Sequence, residues 1–265
     1  MARSPVHVGT CGFSYPEWIE AGIYPPGTRP AAMLGLYSRM FPVVELNYTW
    51  YQMVRAETMT RMLAGSDPAL LFCAKLTRSM THEIAPDWRN QVALYRQGIQ
   101  PLMASGRLVA VLVQLPPSFQ RTPAQRRYLA HLLDALHPLP LAVEFRHRSW
   151  AQDSVFLGLE QRRITLVSVD TPAFPYLFPA LNLVTNPDLF YLRLHGRNRL
   201  GWRSGCKQQQ FDYTYTNDEL AEWSRDRIPG MRTATGVILF NNHVAGQAVR
   251  NAQTMIRLLE QNLAP

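Results

Sequence analysis

Short apolar runs recur along the chain, each ending on a polar residue and each followed by a turn and a segment of helical periodicity. The runs are Val6–Thr10, Val43–Asn47, Leu70–Leu76, Val109–Leu115, the start of Leu141–Trp150, Thr165–Asp170, Leu189–His195 and Gly236–Asn242. Most are apolar at odd and even positions alike, which is the pattern of strands buried on both faces of a parallel sheet. Between them, Ala31–Met40, Asp87–Ser105, a segment opening at Thr122–Pro123, Asp153–Arg163, Asn217–Ile228 and Gly246–Leu263 read as helices. The clearest carries Leu129, Leu132, Leu133 and Leu136 at i, i+3, i+4 and i+7. Local signals set several boundaries. Ser14 and Glu17 have capping-box spacing with Pro16 in the first turn, and Gly106 stands where a helix ends.

Eight strands joined mainly by helices predict one (β/α)8 TIM-type barrel over residues 1–265. Thr171–Pro187, with prolines at 172, 175, 179 and 187, predicts an irregular connection after the sixth strand, and Gly196–Tyr215 reads as a polar loop. A doubly wound sheet is the alternative, but neither GxGxxG nor a P-loop pattern occurs.

Composition narrows the class further. The hydrophobic fraction is 47% and the charged fraction 17%, as expected of a globular protein. No apolar run reaches membrane-span length, and the first residues carry no secretory h-region. Cysteines at 11, 73 and 206 are odd in number and widely spaced, which points to a reducing cytoplasm. A net charge of +8 favours anionic partners, nucleic acid among them, although general solubility explains it equally well.

The polar strand ends carry the candidate chemistry. In LAVEFRHRSW, Glu144 and Arg146 are two residues apart and share a face. They form either a structural ion pair or part of a site. The same edge supplies Glu45, Asn47, Lys75, Gln114, Asp170, Arg193, His195 and Asn241–Asn242–His243. Barrel active sites lie at this edge. Glu144, Lys75 and His195 are candidate proton carriers. Glu45, Glu144, Asp170 and His195 offer carboxylate and imidazole ligands to a divalent metal, though no tight metal motif occurs. Two acids on separate strands also suit a glycosidase pair, against which the neighbouring cations count. The loop His195–Gly205, with Arg197, Arg199, Arg203 and Trp202, and the helix opened by NNHVAGQAVRNA suit an anion. Tyr48, Trp50, Tyr51 and Trp202 suit stacking on a base or sugar, or simple packing. Cys11 follows the first strand without an assignable activating base, so it reads as inert.

VGTCGFSYPEW, IYPPG, VELNYTWY, FCAKLTRSMTH, VLVQLPPSF, AVEFRHRSW, VSVD, YLRLHGR and LFNNHVAGQAVRNA, in this order, resemble the YecE-like family, domain of unknown function 72. The resemblance spans nearly the whole chain and implies a TIM-type barrel without supplying a reaction. Tyr48 and Trp50 depart from its pattern, which usually has a small residue and Phe there.

The expected function is that of a cytoplasmic enzyme acting on a phosphate-bearing or otherwise anionic small molecule. Glu144 and Lys75 would do acid–base work, and Arg146, Arg193 and His195 would hold the anion. A metal-dependent phosphodiester hydrolase of nucleic acid and a non-catalytic nucleotide or RNA binder are the alternatives. Cofactor and oligomeric state are left open.

Overall fold

A computed structural model describes residues 5–231 and 233–262. Among these, eight parallel strands close into a barrel: β1 Val6–Cys11, β2 Val43–Leu46, β3 Leu71–Lys75, β4 Leu108–Gln114, β5 Leu141–Glu144, β6 Thr165–Asp170, β7 Leu189–Leu194 and β8 Thr235–Phe240. Each pairs with the next, and β8 returns to β1 through Val6↔Gly236 to Thr10↔Phe240. Each expected run overlaps one strand, with most boundaries shifted by a residue or two. The polar residues Asn47, Arg146, His195 and Asn241 lie just beyond strand ends, at the rim where the backbone ladder releases them.

The connections between strands contain α1 Glu17–Glu20, α2 Pro30–Tyr37, α3 Tyr48–Tyr51, α4 Ala56–Ala64, α5 Trp88–Ala104, α6 Pro123–Leu136, α7 Asp153–Gln161, α8 Arg199–Ser204, α9 Lys207–Gln210 and α10 Asn217–Glu222, and α11 Gln247–Gln261 follows β8. In α6 the Thr122 hydroxyl accepts from the Gln125 amide at 3.3 Å. Its four periodic leucines are buried, each removing roughly 1.5–3 kcal/mol of apolar surface energy from water. Beyond α5, Gly106 adopts φ +70°, a left-handed turn that costs glycine little and lets the chain enter β4.

Three local expectations are corrected. Ser14 does not cap α1, because the helix starts at Glu17 with Pro16 in the cap position; the Ser14 hydroxyl instead contacts Met33 Sδ at 3.4 Å. The segment from 196 to 215 is not all loop, since α8 and α9 fold within it, α8 capped by Asn198. The last helix begins at Gln247, after left-handed Gly246; Leu263, expected within it, lies outside the described residues. The connection between β6 and β7 is irregular, as its prolines require, with its end held by the Thr185 hydroxyl donating to the Ile164 carbonyl at 2.7 Å.

Strand register decides which polar residues meet. Cys11 pairs with Glu45, Glu45 with Cys73, Lys75 with Leu112 and Gln114 with Glu144. Parallel partners share a face, so these side chains point into the barrel. On the far side Val169 pairs with Arg193, and Asp170 with Leu194. Arg193 is inward, so Asp170 is outward.

Candidate functional site

Arg193 occupies the centre of the barrel. Its Nη2 donates to Glu45 Oε1 at 2.7 Å and its Nη1 to Glu144 Oε2 at 2.5 Å. Glu144 Oε1 accepts from Arg146 Nε, and Glu45 Oε2 accepts from the Tyr191 hydroxyl at 2.6 Å. Tyr191, Arg193 and His195 alternate along and just past β7, which puts all three on the inner face. Both carboxylates are fully buried and Arg193 is 1% exposed. Charges this deep are tolerated only when each is paired and hydrogen-bonded. Two carboxylates against two guanidiniums meet that condition. Burial alone would raise the Glu144 carboxyl, but Arg146 and Arg193 outweigh it and hold it well below the usual carboxylate range.

His195 completes this layer. The Asn241 side-chain amide lies 3.0 Å from Nδ1, while Nε2 lies 3.1 Å from Arg146 Nη2 and 3.3 Å from Glu144 Oε1. Burial and then the Arg146 charge push its pKa down to about 3, so the imidazole is neutral. It orients neighbours and contributes no positive charge.

Above this layer the mouth is aromatic and cationic. Lys75 Nζ donates to Gln114 Oε1 at 3.3 Å and lies 5.6 Å from the centre of the Trp50 ring. Lys207, on α9, approaches the same ring at 5.0 Å. Trp50 Nε1 donates to His82 Nδ1 at 3.2 Å. The Arg146 guanidinium sits 5.6 Å from the Trp202 ring. Burial first, then Arg193, bring the Lys75 ammonium down to about 8; burial and Lys75 bring His82 to about 4. Two buried polar atoms at this rim, Asn47 Oδ1 and Trp202 Nε1, lack a hydrogen-bond partner among the described residues.

The structure thus brings together Glu45, Lys75, Gln114, Glu144, Arg146, Arg193, His195 and Asn241, with Asn47 at the rim. It separates Asp170, Arg197, Asn242 and His243. Asp170 faces the helix layer, accepting from Arg197 at 2.6 and 2.9 Å, from the Tyr215 hydroxyl at 3.0 Å and from Trp223 Nε1 at 2.7 Å. Tyr215 also accepts the Gly196 amide at 2.8 Å, so one carboxylate fastens both ends of the segment carrying Trp202 and Lys207. Asn242 ties the Tyr213 carbonyl to Asn251 behind β8. His243 stacks on Tyr15 at 4.5 Å, with Nδ1 3.6 Å from Glu17.

This separation removes the expected metal set. Asp170 is on the opposite face from Glu45, Glu144 and His195, and both oxygens of each glutamate are already bonded. Among the described residues no group of His, Cys, Asp and Glu converges as a metal site. The glycosidase pair fails similarly, because Arg193 bridges the two acids. Cys11 is buried, 3.5 Å from Arg193 Nη2, and burial pushes its thiol well up. Sequence reasoning missed the roles of His82 and Lys207; both lie in loop-like stretches whose return to the mouth is set by tertiary packing. A cleft of about 750 Å³, lined by Leu108, Leu141, Thr165 and Thr235, lies at the opposite, N-terminal end of the strands. His7, Asp134, His137, Arg162, Arg163 and Asp188 line it as well, but none of the inward-facing strand-end residues described above does.

Comparison with known proteins places this architecture. The model of the family described as "Protein of unknown function DUF72" matches residues 7–265. The UPF0759 protein YunF of Bacillus subtilis (strain 168) is 27% identical, with 98% of each chain covered. The crystal structure of a DUF72 family protein from Thermotoga maritima MSB8 superimposes with a TM-score of 0.87 at 33% identity, covering 97% of this chain and 99% of that one. One from Enterococcus faecalis V583 gives 0.84 at 25% identity, covering 96% and 95%. No helix among the described residues is long and apolar enough to cross a membrane. With its closed eight-stranded parallel barrel and a family match running almost end to end, the chain belongs to the DUF72 family.

Proposed function

We propose that this protein is a cytoplasmic enzyme whose barrel mouth binds an anionic small molecule bearing a planar group. The observation that carries the proposal is the arrangement of Lys75, Lys207 and Arg146 beside the Trp50 and Trp202 rings. Below them the charges of Glu45, Glu144, Arg146 and Arg193 cancel, so the two lysines give the mouth an excess of positive charge. Clefts of one sign concentrate ligands of the other. The unpartnered Asn47 Oδ1 and Trp202 Nε1 supply a ligand with an acceptor and a donor.

Within this reading Lys75 carries the proton, since an ammonium near 8 exchanges readily at neutral pH. Glu144 stays anionic and fixes Arg146 and Arg193. Arg146 meets the anion, whereas neutral His195 sets the tilt of Glu144 and Asn241.

Phenyl phosphate, which joins an aromatic ring to a phosphate, is the first probe, followed by a panel of aromatic phosphates and carboxylates. Saturable quenching of indole fluorescence is expected, weakened by about threefold to tenfold in Trp50→Ala. A folded wild-type protein that binds no member of the panel would reject the proposal. Nucleotide binding is the second reading, favoured by the same pair of indoles as stacking surfaces. Tighter, steeply salt-dependent binding of oligonucleotides than of any small anion would put it first.

A further inference from the structure

Lysine occurs at only two positions in this chain, 75 and 207, against twenty-five arginines. The two residues are remote in sequence and sit on different elements, β3 and α9. Yet both amino groups lie over one indole, 5.6 Å and 5.0 Å from the centre of Trp50. A chain that meets nearly every need for positive charge with a guanidinium thus gathers both of its side-chain amines at the barrel mouth.

The difference between the two cations is chemical. A guanidinium remains protonated at any pH a folded protein meets and is no nucleophile. An ammonium that is desolvated and set beside other cations releases its proton and becomes one. Lys75 satisfies both conditions. It is half-buried at the C-terminal end of β3, where burial and then Arg193 and Arg146 favour the free amine while Glu45 and Glu144 oppose them. Its hydrogen-bond partner is the neutral Gln114 amide oxygen, and among the described residues it forms no carboxylate ion pair. Lys207, which approaches the same indole, is exposed.

We propose that Lys75 is a covalent nucleophile that forms an imine with the aldehyde or ketone group of an anionic substrate. Lys207 and Arg146 receive the anionic group, and Trp50 is the ring that both amines approach. This proposal rests on the anion site described above. The neutral amine adds to the carbonyl carbon and forms a C–N bond, while the carbonyl π pair moves to oxygen. The oxygen gains a proton and the nitrogen loses one. Water then leaves as the C=N bond forms, so nothing is oxidised or reduced. Protons exchange with water at the mouth. An ammonium near 8 supplies on the order of a hundredfold more free amine at neutral pH than an ordinary lysine at 10.5.

The scarcity of lysine makes the test clean. Wild-type protein is treated at neutral pH with limiting glyoxylate and cyanoborohydride, and the carboxymethyl adduct is located by peptide mapping. Lys75 is expected to react at least about tenfold faster than Lys207, with the terminal amine, whose ordinary pKa is also near 8, as the internal standard. Lys75→Arg, which keeps the charge but has no nucleophilic amine, is expected to lose that adduct. Adduct on Lys207 at a rate equal to or above that at Lys75 would overturn the proposal, and this reading needs no variant. Phenyl phosphate has no carbonyl group. Saturable phenyl phosphate binding without a Lys75 adduct would therefore overturn the imine and leave the anion site standing, whereas loss of both would overturn both.

Discussion

Replacing His195 with Gln removes a titration that folding makes costly. His195 is fully buried, and burial with the Arg146 charge lowers its pKa from 6.5 to about 3. The folded protein therefore refuses a proton that the unfolded chain accepts. Stability is intact above the unfolded value of 6.5 and declines as pH falls below it, until the folded value of about 3 is reached. The slope is about 1.4 kcal/mol per pH unit, so the fall from about pH 7.5 to about pH 5 costs about 2 kcal/mol. Glutamine has no titration and can still pair with the Asn241 amide, so His195→Gln loses this term. Urea unfolding of both proteins at the two pH values gives the difference directly, with other groups, such as His82, common to both. The wild type is expected to lose about 2 kcal/mol more than the variant on acidification. Equal losses, within about 0.5 kcal/mol, would refute the placement of a neutral imidazole in this network.

Arg193→Met leaves Glu45 and Glu144 buried without their shared partner, and is expected to cost about 3–5 kcal/mol in urea unfolding. A cost below about 1 kcal/mol would mean that the carboxylates are solvated in the folded protein. Asp170→Asn weakens the fastening to Arg197, Tyr215 and Trp223, and is expected to cost about 1–3 kcal/mol while leaving phenyl phosphate affinity within about twofold. A tenfold loss of affinity at unchanged stability would return Asp170 to the binding site.

The barrel was legible because its strands are apolar on both faces and its helices are periodic, and each property is local. The inner ring was legible in part for the same reason. Glu144 and Arg146 flank a single residue, as do Arg193 and His195, so each pair shares a face. Absolute orientation was not legible. In β6 both Val167–Val169 and Ser168–Asp170 are chemically plausible inward faces, and only pairing with Arg193 on β7 settles the choice. The metal set depended on that unknown parity. Lys207 and His82 were invisible as partners because their approach to Trp50 is made by packing across the mouth, with no sequence spacing to signal it.

The fastening at Asp170 bears on how such a protein diversifies. The segment from Arg197 to Tyr215 leaves and re-enters the scaffold at one carboxylate, so its ends are held together whatever lies between them. Loop closure costs only about 0.6 kcal/mol for each doubling of length, and here closure is set by the anchors. Between Arg199, bonded to the Ala173 carbonyl, and Asp212 and Tyr213, bonded to Gln247 and Asn242, the stretch is the part best placed to tolerate change. Its sequence and length can be rewritten, with new residues brought over Trp50, while the ionic layer beneath keeps its geometry. In the proposed site Trp202 and Lys207 come from this stretch, while Lys75 and Arg146 come from the barrel.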